Sequence, residues 1–212
     1  MQDQKEVLYP PRFTLKDVTI HEKKRLYKKH FALDEYTVSY PTFTGGHTPK
    51  LLREIFERDA DAVAILPYDP VTDEIVLIEQ FRPGALKDPL TPWLFEIVAG
   101  MIDGAESELE AAKRELKEES GLTVADEDFH YVNRVYPSPG GVSECVTIYI
   151  ATVDASHIGT HGGLESENED LRIFKVKAQE AFEMVRTGRI NNAAALIGIM
   201  SLELRYDEFR KA

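Results

Sequence analysis

One stretch, GMIDGAESELEAAKRELKEESGL at residues 100–122, constrains this chain more than any other. It places Glu115, Glu118 and Glu119 within a turn and a half of a helical run, in a protein whose formal net charge is already −12. From about Glu106 to Ser120 the residues are good helix formers, and Gly121 stands where helices commonly end in a left-handed residue. At about 100° per residue, Glu118 and Glu119 fall roughly 60° and 40° to either side of Glu115, while Leu109, Ala112 and Leu116 make an adjoining apolar stripe. The apolar stripe can pack on a sheet while the carboxylates enter a neighbouring cleft, with Arg114 four residues before Glu118 to steady it. Like charges at this spacing cost only a few tenths of a kcal/mol each, so a solvated face is the ordinary meaning of an acidic run. Oxygen ligands on successive turns are nevertheless what Mg²⁺ or Mn²⁺ requires, and a divalent cation turns the repulsion into attraction.

The rest of the chain supplies strands for such a helix. At 212 residues and 43% apolar content it suits one ordinary globular domain with at most a small accessory piece. Residues 1–58 form a β-rich segment, with VTI at 18–20 and FALDEYTVSY at 31–40 as strand candidates and TGGHTP at 44–49 as a turn. A main domain over 59–212 opens with AVAILPYDPVTDEIVLIEQF, a hairpin turning between Pro67 and Asp73. Further strands are predicted at 129–136, 145–153 and 171–177, then helices at about 178–187 and 191–211. The mixture predicts an α/β (α+β) fold, α+β or a layered α/β/α sandwich. The acidic charge argues against a nucleic-acid binder, and the longest apolar stretch, AAALIGIM at 193–200, is too short to span a membrane and reads as a buried helix face. A single cysteine, Cys145, and an N-terminus without an apolar core predict a cytoplasmic protein. Cys145 reads as a core residue, and the six histidines show no metal-ligand spacing.

Gly100, Glu106, Arg114, Glu115, Leu116, Glu118, Glu119, Gly121 and Leu122 fit the pattern G-x5-E-x7-R-E-U-x-E-E-x-G-U, with U a bulky aliphatic. That pattern resembles the Nudix box without a mismatch, a coincidence expected on the order of once in 10⁸ windows for its seven fixed residues. The resemblance implies the Nudix α/β/α sandwich, here with a small N-terminal antiparallel β segment, and hydrolysis of a nucleoside diphosphate linked to another group. It implies Mg²⁺ held by Glu115 and Glu119, with Glu118 assisting and the Ala99 carbonyl completing the shell. Gly100 would let its segment approach the helix, and Glu106 and Arg114 would brace it, with Arg114 orienting the glutamates.

Beyond the box, REIFER at 53–58, LIEQFR at 77–82, PWLFEIVAGMI at 92–102, YPSPGGVSE at 136–144 and ESENEDLR at 165–172 are similar to segments of bacterial dimeric ADP-ribose pyrophosphatases. This likeness runs over most of the chain. It implies that ADP-ribose is cleaved to AMP and ribose 5-phosphate, with Arg53 and Arg82 on phosphates or ribose, Glu144 on ribose and Glu96 in the catalytic cleft. It also implies Glu167 as catalytic base, Glu169 as an auxiliary metal ligand, and a homodimer with exchanged N-terminal segments. Where the subgroup carries an aromatic that stacks on adenine, this chain has His30, with Phe31 beside it. Alone, the Pro-Gly segment would be a turn, the arginines surface ion-pair partners and ENED a solvated loop. The alternatives are a related hydrolase of GDP-mannose or UDP-glucose, and a non-catalytic Nudix module that senses a metabolite. The intact Glu115, Glu118 and Glu119 speak against the last.

Overall fold

The computed structural model describes residues 8–58, 60–164 and 169–210. The chain forms two compact units, each with its own sheet. In the smaller, β1 (Thr19–Lys28), β2 (Ala32–Ser39) and β3 (Leu51–Glu57) pair antiparallel in the order β1-β2-β3. Every residue of β1 is exposed, so the charged run HEKKRLYK lies on a strand the sequence alone does not announce. The buried acid of this sheet, Asp34, is gripped by Arg25 and by Lys23 at 3.0 Å. Residues 138–143 also belong to this unit. The Phe56 N–H donates to the Gly141 carbonyl at 2.7 Å and the Ser143 N–H to the Phe56 carbonyl at 3.1 Å. A boundary drawn along the sequence at 58/59 cannot anticipate that distant piece.

The larger unit is built on an eight-stranded mixed sheet. Its strands are β4 (Ala62–Asp69), β5 (Glu74–Phe81), β6 (Trp93–Glu96), β7 (Val98–Met101), β8 (Phe129–Val135), β9 (Val146–Thr152), β10 (His161–Gly162) and β11 (Leu171–Lys177). The main path is β10-β11-β5-β4-β9-β8, with β6 on β5 and β7 on β4; β4 and β9 run parallel. The helices are α1 (Glu108–Ser120), α2 (Ala178–Arg186), α3 (Ala193–Leu204) and α4 (Tyr206–Phe209). Alternation along the strands sorts the core into two layers. Val63, Ile65, Val76 and Ile78 pack with Ala111, Ala112 and Leu116 of α1. Leu66, Tyr68, Ile75 and Leu77 pack on the other face with Phe182, Ile199, Leu202 and Phe209 of α2, α3 and α4. The result is an α/β/α sandwich.

Two details depart from the sequence reading and have physical causes. Pro67 lies inside β4, paired across to Ala151, and the turn occupies only residues 70–73. β4 leaves β7 after Ile65 and joins β5 only at Tyr68, so Pro67 sits where the strand has no partner needing an N–H on that side. The predicted helix at 191–211 is two helices, broken at Arg205 (φ −114°, ψ 16°). There the Tyr206 hydroxyl donates to both Asp73 carboxylate oxygens, at 2.6 and 2.7 Å, anchoring α4 to the β4–β5 turn.

The same divergence of β4 and β5 shapes the site. Only Tyr68–Ile75 and Asp69–Glu74 pair directly; beyond them β7 lines β4 and β6 lines β5. Glu96 and Gly100 thus fall within the split, on strands bordering the layer of α1.

Candidate active site

α1 begins later than the sequence suggests, because Ser107 caps it. The Ser107 hydroxyl accepts from the Glu110 N–H at 3.2 Å, and the Glu110 carboxylate accepts from the Ser107 N–H at 2.7 Å. Glu106 therefore precedes the helix. At the other end Gly121 has φ 74° and closes the last turn. Between the caps, Ala111 falls at the same angular position as the carboxylate stripe, and it is fully buried. The acidic stripe is thus turned toward protein.

β7 makes room for it. A Cβ at Gly100 would lie 1.8 Å from Glu115 Oε1, so any other residue would displace that carboxylate. Arg114 ties the arrangement together. One of its terminal nitrogens donates to the Met101 carbonyl at 2.8 Å and to Glu106 at 2.7 Å. The other reaches Glu115 at 2.6 Å and Glu118 at 3.2 Å. The bracing predicted for Arg114 and Glu106 is present, with the Met101 carbonyl as an added partner; no side-chain signal could have revealed a carbonyl acceptor.

Glu119 is the least compensated of the three acids. It is 2% exposed, and the partner shown for its carboxylate is the Ala99 N–H at 3.0 Å. Burial pushes its pKa well above the ordinary range, and the charges of Glu169 and Glu115 push it further, against the pull of Ala99 and Arg82. Glu115 is raised too, first by burial and then by Glu118 and Glu169, with Arg114 opposing. Ala99 offers its N–H to this carboxylate, and the N–H and C=O of one strand residue share an edge, so its carbonyl lies on the same edge.

A second charged pair stands at the end of β5. Arg82 clasps Glu96 with contacts of 2.7, 3.0 and 3.2 Å, the bidentate geometry of a guanidinium on a carboxylate. Arg82 also feels Glu119 and Glu169, so the structure gathers Arg82, Glu96, Glu115, Glu119 and Glu169 into one electrostatic neighbourhood. Gly162 of β10 went unnoticed in the sequence. A Cβ there would lie 2.0 Å from the Glu119 carbonyl, so its smallness lets β10 close against the end of α1.

The remaining predicted residues are placed as follows. Glu144 is partly buried in the larger unit. Arg53, His30 and Phe31 belong to the smaller one. Arg53 is exposed on β3 and donates to the Leu52 carbonyl at 2.8 Å. His30 and Phe31 stack edge-on at 4.5 Å, and Phe31 meets Phe56 at 4.8 Å. Phe31 and Phe56 border an apolar cleft of about 330 Å³ lined also by Tyr27, Lys29, Ala32 and Leu33; His30 does not line it. Glu167 lies outside the described residues. Cys145 is buried, as a core residue should be.

A helix capped at both ends, with a carboxylate stripe that is buried at Glu119 and half-buried at Glu115 and Glu118, facing a glycine strand in an α/β/α sandwich, matches a known class: the NUDIX domain family profile covers residues 58–191. The chain belongs to the Nudix family. It is 42% identical over 201 residues to an ADP-ribose pyrophosphatase of Escherichia coli strain K12, covering 95% of each chain. A protein of the same description from Haemophilus influenzae is 33% identical, over 94% of this chain and 92% of that one. A GDP-mannose pyrophosphatase of Cronobacter sakazakii is 31% identical, over 89% and 96%. In fold, the chain is similar to the crystal structure of an ADP compounds hydrolase, with a TM-score of 0.70 at 22% identity over 93% of this chain and 99% of that one. No helix among the described residues is long and apolar enough to cross a membrane.

Proposed function

We propose that this protein hydrolyses the pyrophosphate bond of ADP-ribose to AMP and ribose 5-phosphate, using Mg²⁺, with Mn²⁺ able to replace it. One observation carries the reading: a buried carboxylate with no salt-bridge partner among the described residues, Glu119, lies beside Glu115 on the Nudix helix of a chain 42% identical to an ADP-ribose pyrophosphatase.

Among the described residues no three His, Cys, Asp or Glu side chains are already gathered to hold a metal ion, and Arg114 engages Glu115 and Glu118. The donor chemistry nonetheless fits a hard divalent cation: carboxylate oxygens on successive turns, raised in pKa by burial and by one another, beside a glycine that leaves space. Glu115 and Glu119 would hold the ion, with Glu118, Glu169 and the Ala99 carbonyl assisting. When bound, such an ion supplies charge neutralisation for the diphosphate and acidifies a coordinated water.

The chain's own residues do the rest. Arg114 orients the carboxylates, and Gly100 keeps β7 close to them. Arg82, fixed by Glu96, presents guanidinium N–H groups to phosphate or ribose oxygens. Glu144 contacts the ribose. Glu167 accepts the proton of the attacking water, as a carboxylate within hydrogen-bond reach can. Arg53, His30 and Phe31, with the apolar cleft beside Phe31, receive the adenosine end of a substrate bound by a second copy, in a homodimer with exchanged N-terminal segments. The exposed apolar side chains Ile20, Leu26, Leu52 and Phe56 of the smaller unit support self-association. The acidic charge and the single cysteine are in keeping with a cytoplasmic site of action.

The test is a substrate panel with Mg²⁺ in which AMP and ribose 5-phosphate are quantified. ADP-ribose should have the highest kcat/KM, and no turnover of it would sink the reading. Preference for GDP-mannose would support the second reading, which the 31% identity to a GDP-mannose pyrophosphatase motivates.

A further inference from the structure

The deeply buried polar side chains of the larger unit mostly have evident partners. Asp69 accepts from the N–H groups of Val71, Thr72 and Ala155. Thr147 donates to Glu108 at 2.8 Å. The buried Thr72 hydroxyl, like Gln80 Nε2, has no hydrogen-bond partner among the described residues, although it helps Lys175 and Lys177 hold the Glu74 carboxylate below its usual range. Thr72 belongs to the β4–β5 turn, whereas Gln80 belongs to the end of β5 that leads into Arg82. Gln80 is 7% exposed, and its buried Nε2 has no hydrogen-bond partner among the described residues. A buried donor left without an acceptor carries its full desolvation penalty, so a retained one calls for a role.

Its position indicates which role. Val76 and Ile78 of β5 face the layer of α1, so Gln80 and then Arg82, still in extended backbone, point to the same layer. Across the ladder Ile78 pairs with Glu96 and Gln80 with Leu94, which sets the carboxamide beside the Arg82–Glu96 pair. That neighbourhood holds one guanidinium, Arg82, against the carboxylates Glu96, Glu119 and Glu169. An uncharged amide beside a carboxylate suits a neutral hydroxyl, which accepts from the amide and donates to the carboxylate.

We propose that Gln80 is a specificity-determining residue, its amide donating to a hydroxyl of the sugar linked to the diphosphate beside Arg82 and Glu96. The role rests on the hydrolase reading above. An amide spared for substrate lowers the stability of the free protein while it strengthens the complex, and that opposition is the signature to measure.

Gln80→Leu and Gln80→Met both keep the bulk and remove the donor, so one remains informative if the other folds poorly. Each should raise Tm of the ligand-free protein by roughly 2–4 °C, as expected when a buried unsatisfied group is removed. Each should raise KM for ADP-ribose about tenfold, the effect of one lost hydrogen bond, with kcat changed less. With the methyl ester of ADP, which keeps the diphosphate and lacks the sugar, the variants should match wild type. A lower Tm would mean that the amide already has a partner in the free protein and would overturn the proposal. So would an unchanged KM for ADP-ribose, or an equal loss on both substrates, which would place the contact on phosphate. Wild-type turnover of ADP-ribose separates the two levels: without it both readings fall, and with it an unchanged variant overturns only the role of Gln80.

Discussion

Two buried acids in the two units have opposite electrostatics. Asp34 in the three-stranded sheet is fully buried, and Arg25, then Lys23, hold its carboxyl below the ordinary range. Glu119 on α1 is almost as buried, but among the described residues its carboxylate accepts from a backbone N–H alone, and its pKa is driven well above that range. The first arrangement completes its own charge balance and holds strands together. The second leaves a charge unbalanced, as folding alone would not favour, and on the proposed reading a cation and an anionic substrate would complete it.

If that contrast is right, removing carboxylates from the larger unit should cost chemistry and spare the fold. The largest effect is expected for Glu167→Gln, which keeps shape and removes basicity: kcat should fall by roughly 10² to 10⁴ with little change in KM. Retention of more than about a third of wild-type kcat between pH 7 and 9, well above the loss expected for a missing base, would move the base to another carboxylate. Next comes Arg114→Ala, which frees Glu106, Glu115 and Glu118 together. An orienting residue of this kind is worth about 10–100-fold in activity or metal affinity, so added Mg²⁺ should recover part of the loss.

The smallest expected effects are on stability, and they should differ in sign. Asp34→Asn leaves Arg25 and Lys23 without their carboxylate and should lower Tm. Glu119→Gln should raise Tm of the metal-free protein by a few degrees near pH 7.5, since a stabilisation of about 1 kcal/mol shifts a domain of this size by 2–4 °C. The pH dependence follows from the direction of the shift. The folded protein keeps a proton on Glu119 that the unfolded chain gives up near its ordinary value of about 4.3. That contribution is complete below the unfolded value and is lost as pH rises through the raised folded one, so metal-free wild type should lose Tm with rising pH and Glu119→Gln should lose less. Thermal melts across pH 5 to 8.5 in EDTA check both.

How legible each region was follows from the same physics. The periodicity of α1 and its closing Gly121 disclose the helix, and its carboxylate spacing discloses the site, because local sequence writes both; the Ser107 cap that sets its start went unread. β11 at 171–177, the buried strand β9 and the outer strand β8 follow from their apolar and β-branched residues. VTI at 18–20 marks the start of β1, but the charged run that follows escaped because it is exposed throughout and obeys no burial pattern. β6 and β7, four residues each, are too short for periodicity to register, although they hold Glu96 and Gly100. The sequence places Glu119 on the stripe but not at 2% exposure, which depends on how β7 closes over α1. Nor could it show the orphaned Gln80 amide or the near contact of Gly162, both of which arise from strands brought together over long separations.

The central claim, that Glu119 of the acidic stripe is buried without a salt-bridge partner among the described residues in order to hold a divalent cation with Glu115, is tested most directly by titrating the full protein with Mn²⁺ and reading free ion by electron paramagnetic resonance. Wild type should bind at neutral pH with release of protons from the raised carboxyls, and Glu119→Gln should bind at least tenfold more weakly, as loss of a ligand or its orienting partner requires. Equal affinity in the two proteins, or no binding to wild type, would contradict the account.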